Sequence, residues 1–454
     1  MIFSSIPFLY YFLPLALLLC YLVPSRARNA FLLLASLVFY AWGEPKYLPV
    51  MAAATALGYG FGLAIQRFRR FRKPLLVLSI ASSLGFLLYF KYADFFLENL
   101  NGLGGNIPLL GLALPVGISF YTFQILSYTV DVYRGEVRAQ RNLIDLACYV
   151  TFFPQLIAGP IVRYKDIAAQ LRDRPQNLDN LRLGAARFLV GLGKKVLLAN
   201  LLGEVCAAWR VTADPSVLFS WLYALSYTLH IYFDFSGYSD MAIGLGKLFG
   251  FSFPENFNYP YISRSVTEFW RRWHMSLGTW FRDYVYIPLG GNRKGKGRQF
   301  LNILIVWMLT GFWHGAAWNF LLWGLYFALL LMAEKAGLPV RGRVYTLAAV
   351  VLGFVLFDAS SLSSALACVK GLFGLGGLPP VSTQGLYLLK SNLVLLAVAI
   401  LGATPGPKRL WEQLEVKAPR LSAGLAPMGM AALLLVSTAC LVDGSYNPFL
   451  YFRF

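Results

Sequence analysis

A chain of 454 residues of which 58% are hydrophobic and 13% charged is not a soluble domain, where about a quarter of residues carry charge. Its formal charge of +19 does not point to nucleic acid, because the basic residues gather between apolar runs, the pattern that orients membrane proteins. Lipid offers backbone groups no partners, so the runs are expected to be helices and the fold all-α: a polytopic membrane protein of roughly a dozen spans of ~20 residues each.

In chain order the predicted spans are Phe3 to Leu22, Ala30 to Trp42, Leu48 to Gln66, Leu75 to Ala93, Pro115 to Val130, Phe188 to Ala207, Val217 to Phe235, Phe300 to Phe312, Trp318 to Ala333, Val344 to Phe357, Leu388 to Leu401 and Leu425 to Leu441. The first lacks a basic leader and a cleavage pattern, and it reads as a retained anchor. With an outside N-terminus, every lysine and arginine falls in a cytosolic loop or at its edge except Lys46, Lys91, Arg210, Lys370, Lys390 and Arg453. Both termini are then outside, and the short run Ala30 to Trp42 must cross.

The apolar stretch Leu143 to Ile161 must not cross, because Arg163, Lys165, Arg172, Arg174, Arg182 and Arg187 follow it. Phe153-Pro154 and Gly159-Pro160 are helix breakers within it, so a re-entrant segment is expected, its non-helical backbone buried in protein. No soluble domain or internal repeat interrupts the chain, and residues 1–454 read as a single domain. Cys20, Cys148, Cys206, Cys368 and Cys440 are odd in number and widely spaced, suggesting neither a disulfide framework nor a metal site.

Between Pro254 and Gln299, Trp270, Trp273 and Trp280 mix with Arg264, Arg271, Arg272 and Arg282, a composition suited to the membrane interface. Glu268 precedes Arg271 and Arg272 by three and four residues, an order that favours a helical ion pair. The basic run Gly290-Gly291-Asn292-Arg293-Lys294-Gly295-Lys296-Gly297-Arg298 lacks P-loop spacing. Read plainly it is a solvated cytosolic loop; the alternative is a grip on a donor's phosphates, with Arg271, Arg272, Lys294 and Lys296 as the candidate cations.

Only three histidines occur, His230, His274 and His314. Ionisable groups within a membrane protein's apolar runs point to function by default. His314 lies in Thr310-Gly311-Phe312-Trp313-His314-Gly315, where it is either a general base for acyl transfer or a packing histidine. His274, after Trp270-Arg271-Arg272-Trp273, either polarises an acyl carbonyl or binds the donor, or else is an interfacial histidine bonded to lipid or backbone. His230 precedes Asp234 by four residues and reads first as a polar latch between helices, with Asp234 or Asp240 able to orient a catalytic group. The tail Tyr446-Asn447-Pro448-Phe449-Leu450-Tyr451-Phe452-Arg453-Phe454 is either an aromatic anchor or a segment that folds inward and offers the Tyr451 hydroxyl.

Together these motifs resemble the membrane-bound O-acyltransferase family, and within it the bacterial polysaccharide-acetylating branch that includes the alginate O-acetyltransferase membrane subunit. The resemblance runs end to end on Pro154-Gln155-Leu156-Ile157-Ala158-Gly159-Pro160-Ile161, Asp234-Phe235-Ser236-Gly237-Tyr238-Ser239-Asp240, Glu268-Phe269-Trp270-Arg271-Arg272-Trp273-His274, Tyr286-Ile287-Pro288-Leu289-Gly290-Gly291-Asn292, Trp313-His314-Gly315 and the tail. It implies that His314 is the family's essential histidine and His274 its second, cytosol-proximal one. The related D-alanyl branch carries the aromatic tail on a separate small protein; here it is fused. The resemblance further implies a relay in a bacterial cytoplasmic membrane. Acyl passes from acetyl-CoA or another acyl thioester, with no permanently bound cofactor, to an extracytoplasmic SGNH-type transferase that acts on a polysaccharide. Tyr451 is the candidate covalent carrier, since a phenol of pKa ≈ 10 is within reach of an imidazole near 6.5.

Overall fold

The computed structural model describes residues 1–375 and 377–444, and among them it is helical with no strand. Among the described residues four helices are long and apolar enough to cross a bilayer: Pro45–Arg67, Arg69–Gly102, Trp318–Ala336 and Pro419–Asp443. The pair Thr383–Ser391 and Leu393–Gly402 makes a fifth if its 57° bend is taken within one span. The run Leu388 to Leu401, expected as one helix, breaks at Asn392, whose Nδ2 and backbone N–H both donate to the Leu388 carbonyl, at 2.9 and 3.1 Å.

The chain sorts into two compact units. The first comprises Met1–Phe188 and Ser239–Glu255. It contains α1 (Phe8–Leu22), α2 (Arg28–Ala41), α3 (Leu48–Arg67), α4 (Ile118–Arg134), α5 (Leu143–Thr151) and α6 (Phe153–Leu156). Phe3, Phe8, Phe39 and Phe153 interlock there with ring centroids 5.0–6.4 Å apart. The stretch Leu143 to Ile161 is not one helix. Extended backbone at Phe152 (ψ 112°) separates α5 from the four-residue α6, and Gly159 adopts φ 104°. Its buried backbone finds protein partners: the Phe153 N–H donates to Ser36 Oγ at 3.1 Å, Gln155 Nε2 to the Tyr149 carbonyl at 2.6 Å, and Tyr149 Oη to the Val162 carbonyl at 3.0 Å. Irregular backbone inside an apolar protein requires such satisfaction.

The second unit comprises Leu189–Tyr238 and Asn256–Phe454. The 32-residue α7 (Val217–Leu248) belongs to this unit as far as Tyr238. It is followed by two seven-residue helices, α8 (Val266–Arg272) and α9 (Met275–Phe281), and then by α10 (Gly295–His314), α11 (Trp318–Ala336) and α12 (Arg343–Asp358). Helices α10 and α11 form a hairpin whose backbones touch. A Cβ on Gly311 would lie 2.2 Å from the Phe320 carbonyl oxygen, and one on Gly324 would lie 2.4 Å from that of Trp307. Small residues at a helix crossing permit this approach. His314 is the last residue of α10, so the crossing fixes where its ring stands.

Candidate active site

Helix α8 starts at a sequence-encoded cap. The Ser265 side chain accepts the Glu268 N–H at 3.0 Å, and the Glu268 carboxylate reaches back to the Arg264 N–H at 2.9 Å. That backbone donor, followed by Arg272, holds the Glu268 carboxyl below its ordinary range. Of the two arginines within reach, Glu268 pairs with Arg272 at 2.9 Å, and Arg272 also donates to the Asn258 carbonyl at 3.1 Å. Arg271 instead lines the adjoining cavity.

A second carboxylate secures the same helix end from outside. Glu334, buried near the end of α11, accepts the N–H groups of Val266 and Thr267 at 2.6 and 2.9 Å and the Thr267 hydroxyl at 2.6 Å. These are the orphan donors that every helix N-terminus presents.

After α8 the chain turns sharply. Trp273 is extended and His274 is left-handed (φ 45°, ψ 52°), a conformation that costs a non-glycine residue about 1–3 kcal/mol. The His274 carbonyl accepts the Gly278 N–H at 3.1 Å, its Nδ1 sits 3.1 Å from Asn256 Oδ1, and burial pushes its imidazole pKa down to about 3. Its ring packs edge-on against Phe235, centroids 4.7 Å apart.

His314 is buried among Trp323 and Phe357, with ring centroids at 5.2 and 5.3 Å in edge-to-face arrangement. Trp313 bridges the two histidines, 5.0 Å from the His314 ring and 6.2 Å from that of His274. Both histidines line one cavity of about 720 Å³, within the usual size of a ligand pocket. Its walls are aromatic (Trp270, Trp273, Trp307, Phe281, Tyr286), and three exposed cations, Arg271, Arg282 and Lys335, complete them.

The other residues singled out from the sequence fall elsewhere. Lys294 and Lys296 are exposed and outside the cavity lining; their loop contributes Asn292. His230 is buried against the Ala199 carbonyl, Nδ1 to oxygen 2.6 Å, and is not among the lining residues. Asp234 accepts from Lys195 at 2.5 Å in a pair that is almost fully buried, while Asp240 pairs with Arg187 at 2.7 Å within the first unit. Tyr451 lies outside the described residues.

Sequence reasoning missed Asn256, Glu334 and Lys335, and it read Arg282 only as part of an interfacial mix of tryptophan and arginine. Only Glu334 left a signal, a carboxylate at the end of an apolar run, which demands a partner.

The family model described as MBOAT, membrane-bound O-acyltransferase family, matches residues 109–348, a span that includes both cavity histidines. The chain is 42% identical to the probable alginate O-acetylase AlgI of Pseudomonas putida over the full length of both. It is 43% identical to the probable alginate O-acetylase AlgI of Pseudomonas aeruginosa, over 93% of this chain and 85% of that one. Against the peptidoglycan O-acetyltransferase of Helicobacter pylori the identity is 34%, over 83% of this chain and 80% of the relative.

Proposed function

The chain belongs to the membrane-bound O-acyltransferase family, and from that premise we propose that this multi-pass enzyme carries an acetyl group from a cytosolic thioester toward an extracytoplasmic polysaccharide. The observation that carries the reading is the joining of His274 and His314 in one aromatic cavity with cations on its walls. Acetyl-CoA suits this cavity: its phosphates pair with Arg271, Arg282 and Lys335, and its thioester arm reaches inward along the tryptophans. Arg272, Lys294 and Lys296 add positive potential nearby and raise the local concentration of an anionic donor.

His314 is the general base and Tyr451 the acceptor. The imidazole takes the phenolic proton as the phenol oxygen attacks the thioester carbonyl; the C–O bond forms, the C–S bond breaks, and the imidazolium returns the proton to the departing thiolate. An aryl ester is reactive enough to pass its acetyl to the serine of an SGNH-type partner outside. The sugar polymer is the final acceptor, in keeping with the activities named for the relatives. Roughly a dozen spans in a bacterial cytoplasmic membrane, with both termini outside, complete the reading.

Purified protein incubated with acetyl-CoA tests it. Free thiol and acetyl label on the C-terminal peptide at Tyr451 are expected. His314→Ala is expected to lower thiol release by at least about 10²-fold, the lower end for lost acid–base catalysis, with protein level unchanged. A folded His314→Ala protein that keeps normal turnover would refute the assignment of the base. Polymer acetylation by Tyr451→Phe at the wild-type level would reduce the tail to an anchor.

A further inference from the structure

We infer that Asn256 is a positioning residue that fixes His274 as the imidazole protonated on Nδ1, so that Nε2 faces the cavity's contents as a hydrogen-bond acceptor. The argument begins with an amide whose orientation is determined by its neighbours. Asn256 is fully buried, and one atom of its side chain lies 3.2 Å from the Ser276 backbone N–H and 2.8 Å from Ser276 Oγ. A backbone N–H only donates, so that atom is the oxygen. His274 Nδ1 lies 3.1 Å from the same oxygen. Two acceptors do not bond, so Nδ1 carries the proton.

Burial among Phe235 and Trp313 keeps the ring neutral, and a neutral imidazole with its proton on Nδ1 has a bare Nε2. That nitrogen is buried and has no hydrogen-bond partner among the described residues, on a ring that lines the cavity of about 720 Å³. Asn256 also holds the strained turn through its main chain, since its carbonyl accepts the Met275 N–H at 3.0 Å. One asparagine therefore clamps three consecutive residues, 274 to 276, and sets both the place and the tautomer of the histidine.

The chemistry of His274 follows. A bare Nε2 cannot donate to a carbonyl oxygen, so this histidine does not polarise the acyl group. It accepts an N–H or O–H from the bound molecule, such as an amide of the thioester's arm. This consequence rests on reading the cavity as the acyl-transfer site; the tautomer itself does not.

The chain has three histidines, so labelling histidine alone with nitrogen-15 gives a spectrum in which the His274 signals are assigned by their loss in His274→Gln. In the substrate-free wild-type protein at neutral pH, Nδ1 is expected to be protonated and Nε2 bare. Asn256→Asp, which keeps the acceptor oxygen, is expected to preserve a protonated Nδ1, and Asn256→Ala to lose the preference between the nitrogens. With acetyl-CoA as the probe, Asn256→Ala is expected to raise KM by up to about tenfold, the worth of one hydrogen bond, with a smaller change in kcat. A wild-type Nε2 that bears a proton would overturn the inference, as would an unchanged tautomer in folded Asn256→Ala; should that variant not fold, the wild-type spectrum decides. Failure of the wild-type protein to cleave acetyl-CoA would sink the functional reading while leaving the spectrum to decide the tautomer.

Discussion

Glu334 and Asn256 each hold the site through bonds that cross long stretches of sequence, to Val266 and Thr267 in one case and to His274 and Ser276 in the other. Asn256 leaves no periodicity or motif and Glu334 only a carboxylate at the end of an apolar run, because the meaning of each depends on a partner that only folding brings near. The histidines were legible for the opposite reason: three in the whole chain, each among aromatic residues, is a local anomaly. Glu334→Ala orphans two backbone N–H groups and a hydroxyl at the start of α8; a buried unsatisfied group costs about 1–3 kcal/mol. The variant is expected to melt at lower temperature and to lose thiol release, because α8 carries Arg271 and leads into His274, and Glu334→Gln is expected to fall between it and wild type. Thermal unfolding in detergent alongside acetyl-CoA cleavage checks both. His274 supplies a pH signature as well. Its folded pKa of about 3 lies below the value near 6.5 of an unfolded chain. The unfolded state therefore binds the proton first, and stability that is intact above about 6.5 is lost progressively as pH falls toward 3. Comparing melting temperatures at pH 7 and pH 5, the fall in wild type is expected to exceed that in His274→Gln; equal falls would contradict a buried neutral imidazole.

Among the helices, the sequence discloses composition better than continuity. Breakers at Pro154 and Gly159 correctly signalled that Leu143 to Ile161 is not one helix, whereas the break at Asn392 has no proline or glycine to announce it. The α10–α11 hairpin was legible as two apolar runs, but not the contact of their backbones at Gly311 and Gly324. That contact gives a test at the level of the element. A methyl group at Gly311 would meet the Phe320 carbonyl at 2.2 Å, so Gly311→Ala forces the helices apart at an overpacking cost of about 1–3 kcal/mol. His314, three residues on, is displaced with them, and thiol release is expected to fall well beyond what the loss of folded protein explains. Gly297, in the first turn of the same helix, has open space where a methyl group would stand, with nothing within 4 Å. Gly297→Ala is expected to leave activity unchanged and to be neutral or slightly stabilising, by about 0.5–1 kcal/mol at most. Equal losses in the two variants, measured as turnover per folded molecule, would mean that the hairpin contact does not control the site.

On the scale of the whole molecule, four helices among the described residues, or five with the bent pair, have the length and composition to cross a bilayer, fewer than the dozen spans expected from sequence; several of the expected spans fold as shorter helices, such as α2 with 14 residues and α12 with 16. Helix α4, 17 residues long, buries Ser119, Thr122, Gln124, Ser127, Thr129 and Asp131, so its sequence does not read as uniformly apolar. Charge is then the better guide to sidedness than hydropathy, since moving a lysine or arginine through the bilayer is what insertion resists. The distribution of basic residues predicts that the loops around Arg172 and Arg293, both exposed, face the cytosol. Four native cysteines are buried and Cys440 is exposed, so Cys440→Ser provides a background with little competing thiol. Single cysteines at positions 172 and 293 in that background are expected to resist a membrane-impermeant maleimide in intact cells and to react once the membrane is opened. Reaction at either position from outside would invert the frame, turn the Arg271 and Arg282 face of the cavity away from cytosolic acetyl-CoA, and require a donor on the other side of the membrane.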